Sequence, residues 1–126
     1  MKKFLIPAVA IAVVALASSA FAAPAMIGNT DKGKVLTDSK GMTLYTFSKD
    51  SSSKSACNGK CAHNWPPLMV KKGEKGAEGY SEIKRNDGKM QWAYKGKPLY
   101  TFIKDKKVGE TNGEGLLNGA WHMAKP

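Results

Sequence analysis

Apolar and polar residues alternate in short bursts along this chain, separated by turn residues, and no stretch holds a helical period for more than three turns. Val35-Leu36-Thr37 predicts a short strand, Asp38-Ser39-Lys40-Gly41 a turn, and residues 42–47 a second strand, so that the two form a hairpin. The same order returns later. Residues 90–94 predict a strand, Lys95-Gly96-Lys97 a turn, and residues 98–102 a strand, with Pro98 marking an edge or a strand start. Residues 80–85 predict a further strand, closed by the turn signal Asn86-Asp87-Gly88. The Gly-, Lys- and Glu-rich residues 71–79 read as a loop, and residues 62–65 as a short helical turn. The pattern predicts a small, single all-β domain of two pseudo-repeated hairpin units with long loops and little helix.

The repetition extends to side chains. GMTLYTFSKD at residues 41–50 and GKPLYTFIKD at residues 96–105 share Leu-Tyr-Thr-Phe-x-Lys-Asp at a spacing of 55 residues. Each copy is followed by a tryptophan, Trp65 and Trp121, now 56 apart, so the second copy carries one inserted residue. Tyr45, Phe47, Asp50 and Trp65 thus match Tyr100, Phe102, Asp105 and Trp121, and what both copies keep is read as scaffold. The aromatics offer large buried area. Each aspartate follows a strand, where a carboxylate accepts backbone N–H bonds and shapes a loop. The rival reading, paired acid–base carboxylates, requires both to face one cleft. With the shift applied, Ser55 matches Thr111, Cys57 matches Gly113, Cys61 matches Leu117, His63 matches Gly119, and Pro66-Pro67 match His122-Met123. Cysteines and histidines are therefore private to one copy, and a specific activity belongs with such private residues. Trp65-Pro66-Pro67-Leu68 reads as a rigid extended segment with the tryptophan anchored in the core, or alternatively as an exposed aromatic and polyproline surface.

The N-terminus changes the picture of location. Lys2 and Lys3 precede an apolar run over residues 4–16, and Ser18-Ser19-Ala20-Phe21-Ala22 gives an A-x-A cleavage pattern. About 13 residues at 1.5 Å each do not cross a hydrocarbon core of roughly 30 Å. Residues 1–22 are expected to be a signal peptide cleaved after about Ala22, giving a periplasmic or secreted bacterial protein with no transmembrane segment in the mature chain. The expected organisation is a flexible leader at 23–33 and a repeat domain at 34–126: repeat one at 34–70, repeat two at 89–126, and a connecting loop and strand at 71–88. Without the two leader lysines, eighteen basic and ten acidic residues remain, a net charge of +8. That charge suits an anionic envelope surface or a protein partner, or simply a solvated surface. Arg85 is the only arginine, which argues against specific nucleic-acid recognition, where bidentate arginines predominate.

Cys57 and Cys61 are the only cysteines. In an exported chain the default is a disulfide between them. It closes a very short loop, so its work is to fix local shape, with stabilisation at the low end of about 2–4 kcal/mol. The alternative is a copper or haem site using Cys57, Cys61, His63, His122 and Met123, since thiolate, imidazole and thioether suit such groups. The spacing excludes C-x-x-C-H haem attachment. No G-x-S-x-G, G-x-G-x-x-G or phosphate loop occurs. The sequence therefore predicts a protein that is not an enzyme and needs no cofactor.

The repeated Y-x-F-x-x-D, the segment SACNGKCAHNWPPL at 55–68 and GKPLY at 96–100 resemble the family of secreted-repeat lipoproteins with a Yx(F/W/Y)xxD motif. The resemblance covers about residues 34–126. It implies an exported protein built from tandem copies of this unit, with no established biochemical role. No cysteine follows the apolar run, so the lipid anchor of that family has no attachment site there.

Overall fold

The computed structural model describes residues 23–126; the expected signal peptide over 1–22 lies outside the described residues. In chain order the elements are β1 (Met26–Thr30), β2 (Gly33–Thr37), β3 (Tyr45–Phe47), α1 (Lys60–Asn64), β4 (Tyr80–Lys84), β5 (Met90–Tyr94), β6 (Lys97–Pro98), α2 (Leu116–Gly119) and β7 (Trp121–Met123). The domain is small and all-β. Among the described residues helix is confined to α1 and α2, each about one turn long.

Each repeat opens with an antiparallel hairpin. β1 pairs with β2 from Met26↔Thr37 to Thr30↔Gly33, and β4 pairs with β5 from Tyr80↔Tyr94 to Lys84↔Met90. Residues 23–33 are therefore not a leader throughout, because 26–30 form β1. Alternation gives no signal there: Met26 and Ile27 are adjacent and both exposed. The turn makes the strand instead. Thr30 Oγ1 accepts from Lys32 N–H and donates to the Gly33 carbonyl, while Gly33 sits at φ 106°, open to glycine at little cost.

The two central strands are shorter than the pattern predicts, because each gives its pairing partner up to the other repeat. Leu44 N–H still donates to Leu36. From Tyr45 onward, however, β3 pairs with β7 of the second repeat, in the register Tyr45↔Met123, Thr46↔His122 and Phe47↔Trp121. The mirror arrangement holds for residues 98–102. β6 ends at Pro98, Leu99 N–H donates to Trp92, and then Thr101 and Ile103 donate to Pro66 and Asn64 of the first repeat. The closing segment of each repeat thus lies along the central strand of the other. The repeats meet where Tyr45 and Tyr100 exchange backbone bonds of 2.7 and 3.0 Å.

Strand alternation sends the motif's side chains to two sides. Tyr45, Tyr100 and Phe102 join Trp65, Trp121, Val35, Cys57, Ala120 and Met123 in one core, while Leu44 and Leu99 join Leu36, Ala25 and Ala124 in the other. The first core is a column of rings. Trp65 and Trp121 stack at 3.7 Å between centroids and 2° between planes. Phe102 extends the stack beyond Trp65 at 4.1 Å, and Phe47 beyond Trp121 at 4.2 Å. Tyr45 meets Trp65 edge-on at 5.3 Å, and Tyr100 meets Trp121 edge-on at 5.1 Å. A parallel tryptophan stack is not what ring quadrupoles favour by themselves. The edge-on tyrosines supply the favourable geometry.

Candidate functional site

The repeated tyrosine and aspartate bond across the repeats. Tyr45 Oη donates to Asp105 Oδ2 at 2.6 Å, and Tyr100 Oη bonds Asp50 Oδ2 at 2.7 Å. The second carboxylate oxygens accept from backbone N–H groups, Asp50 from Ala56 and Asp105 from Asn112. Each aspartate thus shapes its own loop and holds the other repeat's strand. Burial and then the carboxylate bond push both tyrosine hydroxyls well above the ordinary range, so they stay protonated donors. Burial raises the Asp50 carboxyl from its usual value, against the pull of the Ala56 N–H, the Tyr100 hydroxyl and Arg85.

The first repeat's loop carries the private residues. Cys57 and Cys61 form a disulfide, their Cα atoms 5.2 Å apart, and Cys57 is fully buried. Arg85 reaches this loop from the end of β4 and is itself buried. Its guanidinium donates to Ser55 Oγ at 3.0 Å, Gln91 Oε1 at 2.8 Å, the Cys57 carbonyl at 2.6 Å and Asn58 Oδ1 at 3.3 Å. Ser55 Oγ lies 2.7 Å from Tyr100 Oη, so Arg85, Ser55, Tyr100 and Asp50 form one polar chain through the core. A buried cation is tolerated here because its fork is filled by acceptors. Sequence reasoning missed this role; the sole signal was a single arginine among many lysines.

The remaining candidate ligands are dispersed over different environments. His63 lies exposed on α1, Met123 is buried in the aromatic core, and His122 is exposed on β7. His122 Nδ1 meets Glu114 Oε2 at 2.7 Å. Burial pushes Glu114 up, but the Met123 N–H and His122 outweigh it, and the carboxyl ends below its usual value. Among the described residues, no three His, Cys, Asp or Glu side chains gather as a metal-holding group.

A cleft of about 450 Å³ opens where repeat one's serine turn meets the β5–β6 hairpin of repeat two. Ser51, Ser52 and Asp50 line one side, Lys95, Gly96 and Lys97 the other, with Phe47 and His122 between. A second depression of about 260 Å³ adjoins it through Thr46, Lys95, Lys97 and His122, and adds Lys125. The hairpin turn places the lysines. Lys95 and Gly96 are its two loop residues, at φ 51° and 82°, the positive pair that a two-residue turn between twisted strands requires. Lys95 Nζ stands 5.2 Å above the Tyr94 ring, and Ser53 N–H ties the serine turn to the Gly96 carbonyl at 3.0 Å. Among the described residues, Lys95, Lys97 and Lys125 have no carboxylate within ion-pair distance, and both Asp50 oxygens are already bonded. The cleft therefore presents three lysines with no carboxylate at ion-pair distance among the described residues, beside the hydrogen-bonded Asp50 and a His122 that Glu114 holds. It can bind phosphate or carboxylate groups.

Residues 26–69 and 81–125 each match the profile of Lipoprotein_15, described as a secreted repeat of unknown function. The matched stretches take in all of β1 and β4 from Ser81 onward, so each unit includes its opening hairpin. No curated protein and no solved structure matches the chain. No helix among the described residues is long and apolar enough to cross a membrane.

Proposed function

This chain belongs to the Lipoprotein_15 family of secreted repeats, and on that premise we propose that it is an exported, non-enzymatic binding module of the bacterial envelope. Cleavage after about Ala22 releases it to the periplasm or the exterior. Its basic cleft takes up phosphate or carboxylate groups displayed on an anionic envelope surface. The observation that carries this reading is the convergence of Lys95, Lys97 and Lys125 on two adjoining depressions, with no carboxylate within ion-pair distance of them among the described residues. The positions that both repeats share support a scaffold, whereas the cleft lies at their junction and is made once.

Copper or haem binding is not adopted. The two sulfurs are bonded to each other and Met123 is sealed in the core. The test is retention of the mature protein on phosphatidylglycerol vesicles and on isolated anionic cell-wall polymer. Retention is expected at about 0.1 M salt and is lost toward about 1 M, where the screening length falls from about 10 Å to about 3 Å. Lys95→Gln, Lys97→Gln and Lys125→Gln together should abolish it. Binding that ignores both salt and these lysines would overturn the proposal, and a preference for vesicles or polymer identifies the source of the anion.

A further inference from the structure

The loops of the two repeats are finished differently. In the first repeat the loop is closed by its disulfide, and Cys61 and Phe47 pack against the core. Leu117 stands at the position of Cys61 in the second repeat. There, beside Trp65 and Phe102, a slot of about 350 Å³ remains open, walled by Leu116 and Leu117 and lined also by Asn64 and Lys104. Leu117 holds φ 57° while its side chain is 64 % exposed. A branched residue in the left-handed region is strained, and no burial within this chain offsets that strain. Leu116 is exposed as well.

We propose that this slot binds a small amphiphilic anion. An aromatic or short alkyl body lies between the Trp65–Phe102 edge and the two leucines, and a carboxylate or sulfonate meets Lys104. The volume lies at the lower end of the range of small-molecule sites. No acidic side chain lines the slot, and Lys104 has no carboxylate within ion-pair distance among the described residues. The proposal uses none of the lysines of the basic cleft, so either site can fail without the other.

The experiment titrates the full mature protein with anilinonaphthalene sulfonate by fluorescence and with octanoate by calorimetry. One-to-one saturable binding of both is expected. Lys104→Gln should weaken both about tenfold, as loss of one charge-assisted contact does, and leave the neutral probe phenylnaphthylamine unchanged. Leu117→Gly should weaken all three while the unfolding temperature stays level or rises, because the strain is removed. Absence of saturation overturns the proposal. So does affinity that is indifferent to both substitutions, or a Lys104→Gln effect that is equal for charged and neutral probes.

Discussion

Tyr45–Asp105 and Tyr100–Asp50 are the same contact made twice, set in different surroundings. Tyr45 Oη donates to Asp105 and accepts a 3.1 Å bond from the Gly113 backbone N–H. Its proton has one acceptor, and its other neighbour is a fixed donor. Tyr100 Oη donates to Asp50 and accepts from the Ser55 hydroxyl, whose oxygen already accepts from Cys57 N–H and Arg85. The donor to Tyr45 is a backbone N–H, whereas the donor to Tyr100 is a side-chain hydroxyl that Arg85 holds in place. Identical motif residues thus fill unequal posts, because the loops that follow them differ: Thr111-Asn112-Gly113 in one copy, Ser55-Ala56-Cys57 with Arg85 behind it in the other.

The comparison breaks most readily at what the two halves share. Trp65→Ala and Trp121→Ala each remove a ring from the centre of the stack and should cost about 3–5 kcal/mol in urea unfolding. Trp121→Phe should cost clearly less than Trp121→Ala, since among the described residues the buried Trp121 Nε1 has no hydrogen-bond partner and forfeits nothing polar. Next comes the feature that only one half has. Arg85→Met leaves Ser55, Gln91 and the Cys57 carbonyl without their donor, and should cost about 2–3 kcal/mol with the disulfide intact. An equal stability of variant and parent in urea would show that the disulfide alone holds that loop.

The two contacts are tested by isosteric changes. Asp105→Asn puts a donor where Tyr45 needs an acceptor and strands a buried hydroxyl proton, for about 1–3 kcal/mol. Ser55 Oγ already accepts from Cys57 N–H and Arg85 and cannot take the Tyr100 proton, so Asp50→Asn should also cost about 1–3 kcal/mol. A much smaller loss in Asp50→Asn than in Asp105→Asn would show that Ser55 gives up one of its donors to take the Tyr100 proton.

The smallest effect is in pH dependence, and its signs oppose. The folded Asp50 carboxyl is raised, so its contribution to stability is present below the ordinary carboxylate range and lost as pH rises through the raised value. Folded Glu114 is lowered, so its contribution is present above that range and lost as pH falls through the lowered value. Between neutrality and the carboxylate range, acidification should widen the stability gap between the parent and Asp50→Asn. As pH falls further, the gap between the parent and Glu114→Gln should narrow. Thermal unfolding across pH reads both.

Much of this fold follows from short-range pattern. The alternation in Leu-Tyr-Thr-Phe assigns Tyr45 and Leu44 to opposite cores, and Asn86-Asp87-Gly88 and Lys95-Gly96 mark turns that exist. β1 is invisible to alternation because its apolar residues face solvent, and a turn-closing threonine creates it. β7 and the crossed pairing are invisible for a different reason. Trp121-His122-Met123 gains its strand from Tyr45–Phe47, some 76 residues earlier, and no local signal encodes that partner. The basic cleft was equally hidden, since Lys95, Lys97, His122 and Lys125 are scattered in sequence and meet only through that crossing.

Binding isotherms of two variants on the same anionic vesicles at low salt test the division between shared scaffold and singly made site most directly. Asp105→Asn, measured below its lowered unfolding temperature, should bind like the parent. Lys95→Gln with Lys97→Gln should keep the parental unfolding temperature and lose binding. A binding defect in Asp105→Asn, with full binding by the lysine variant, would contradict the account.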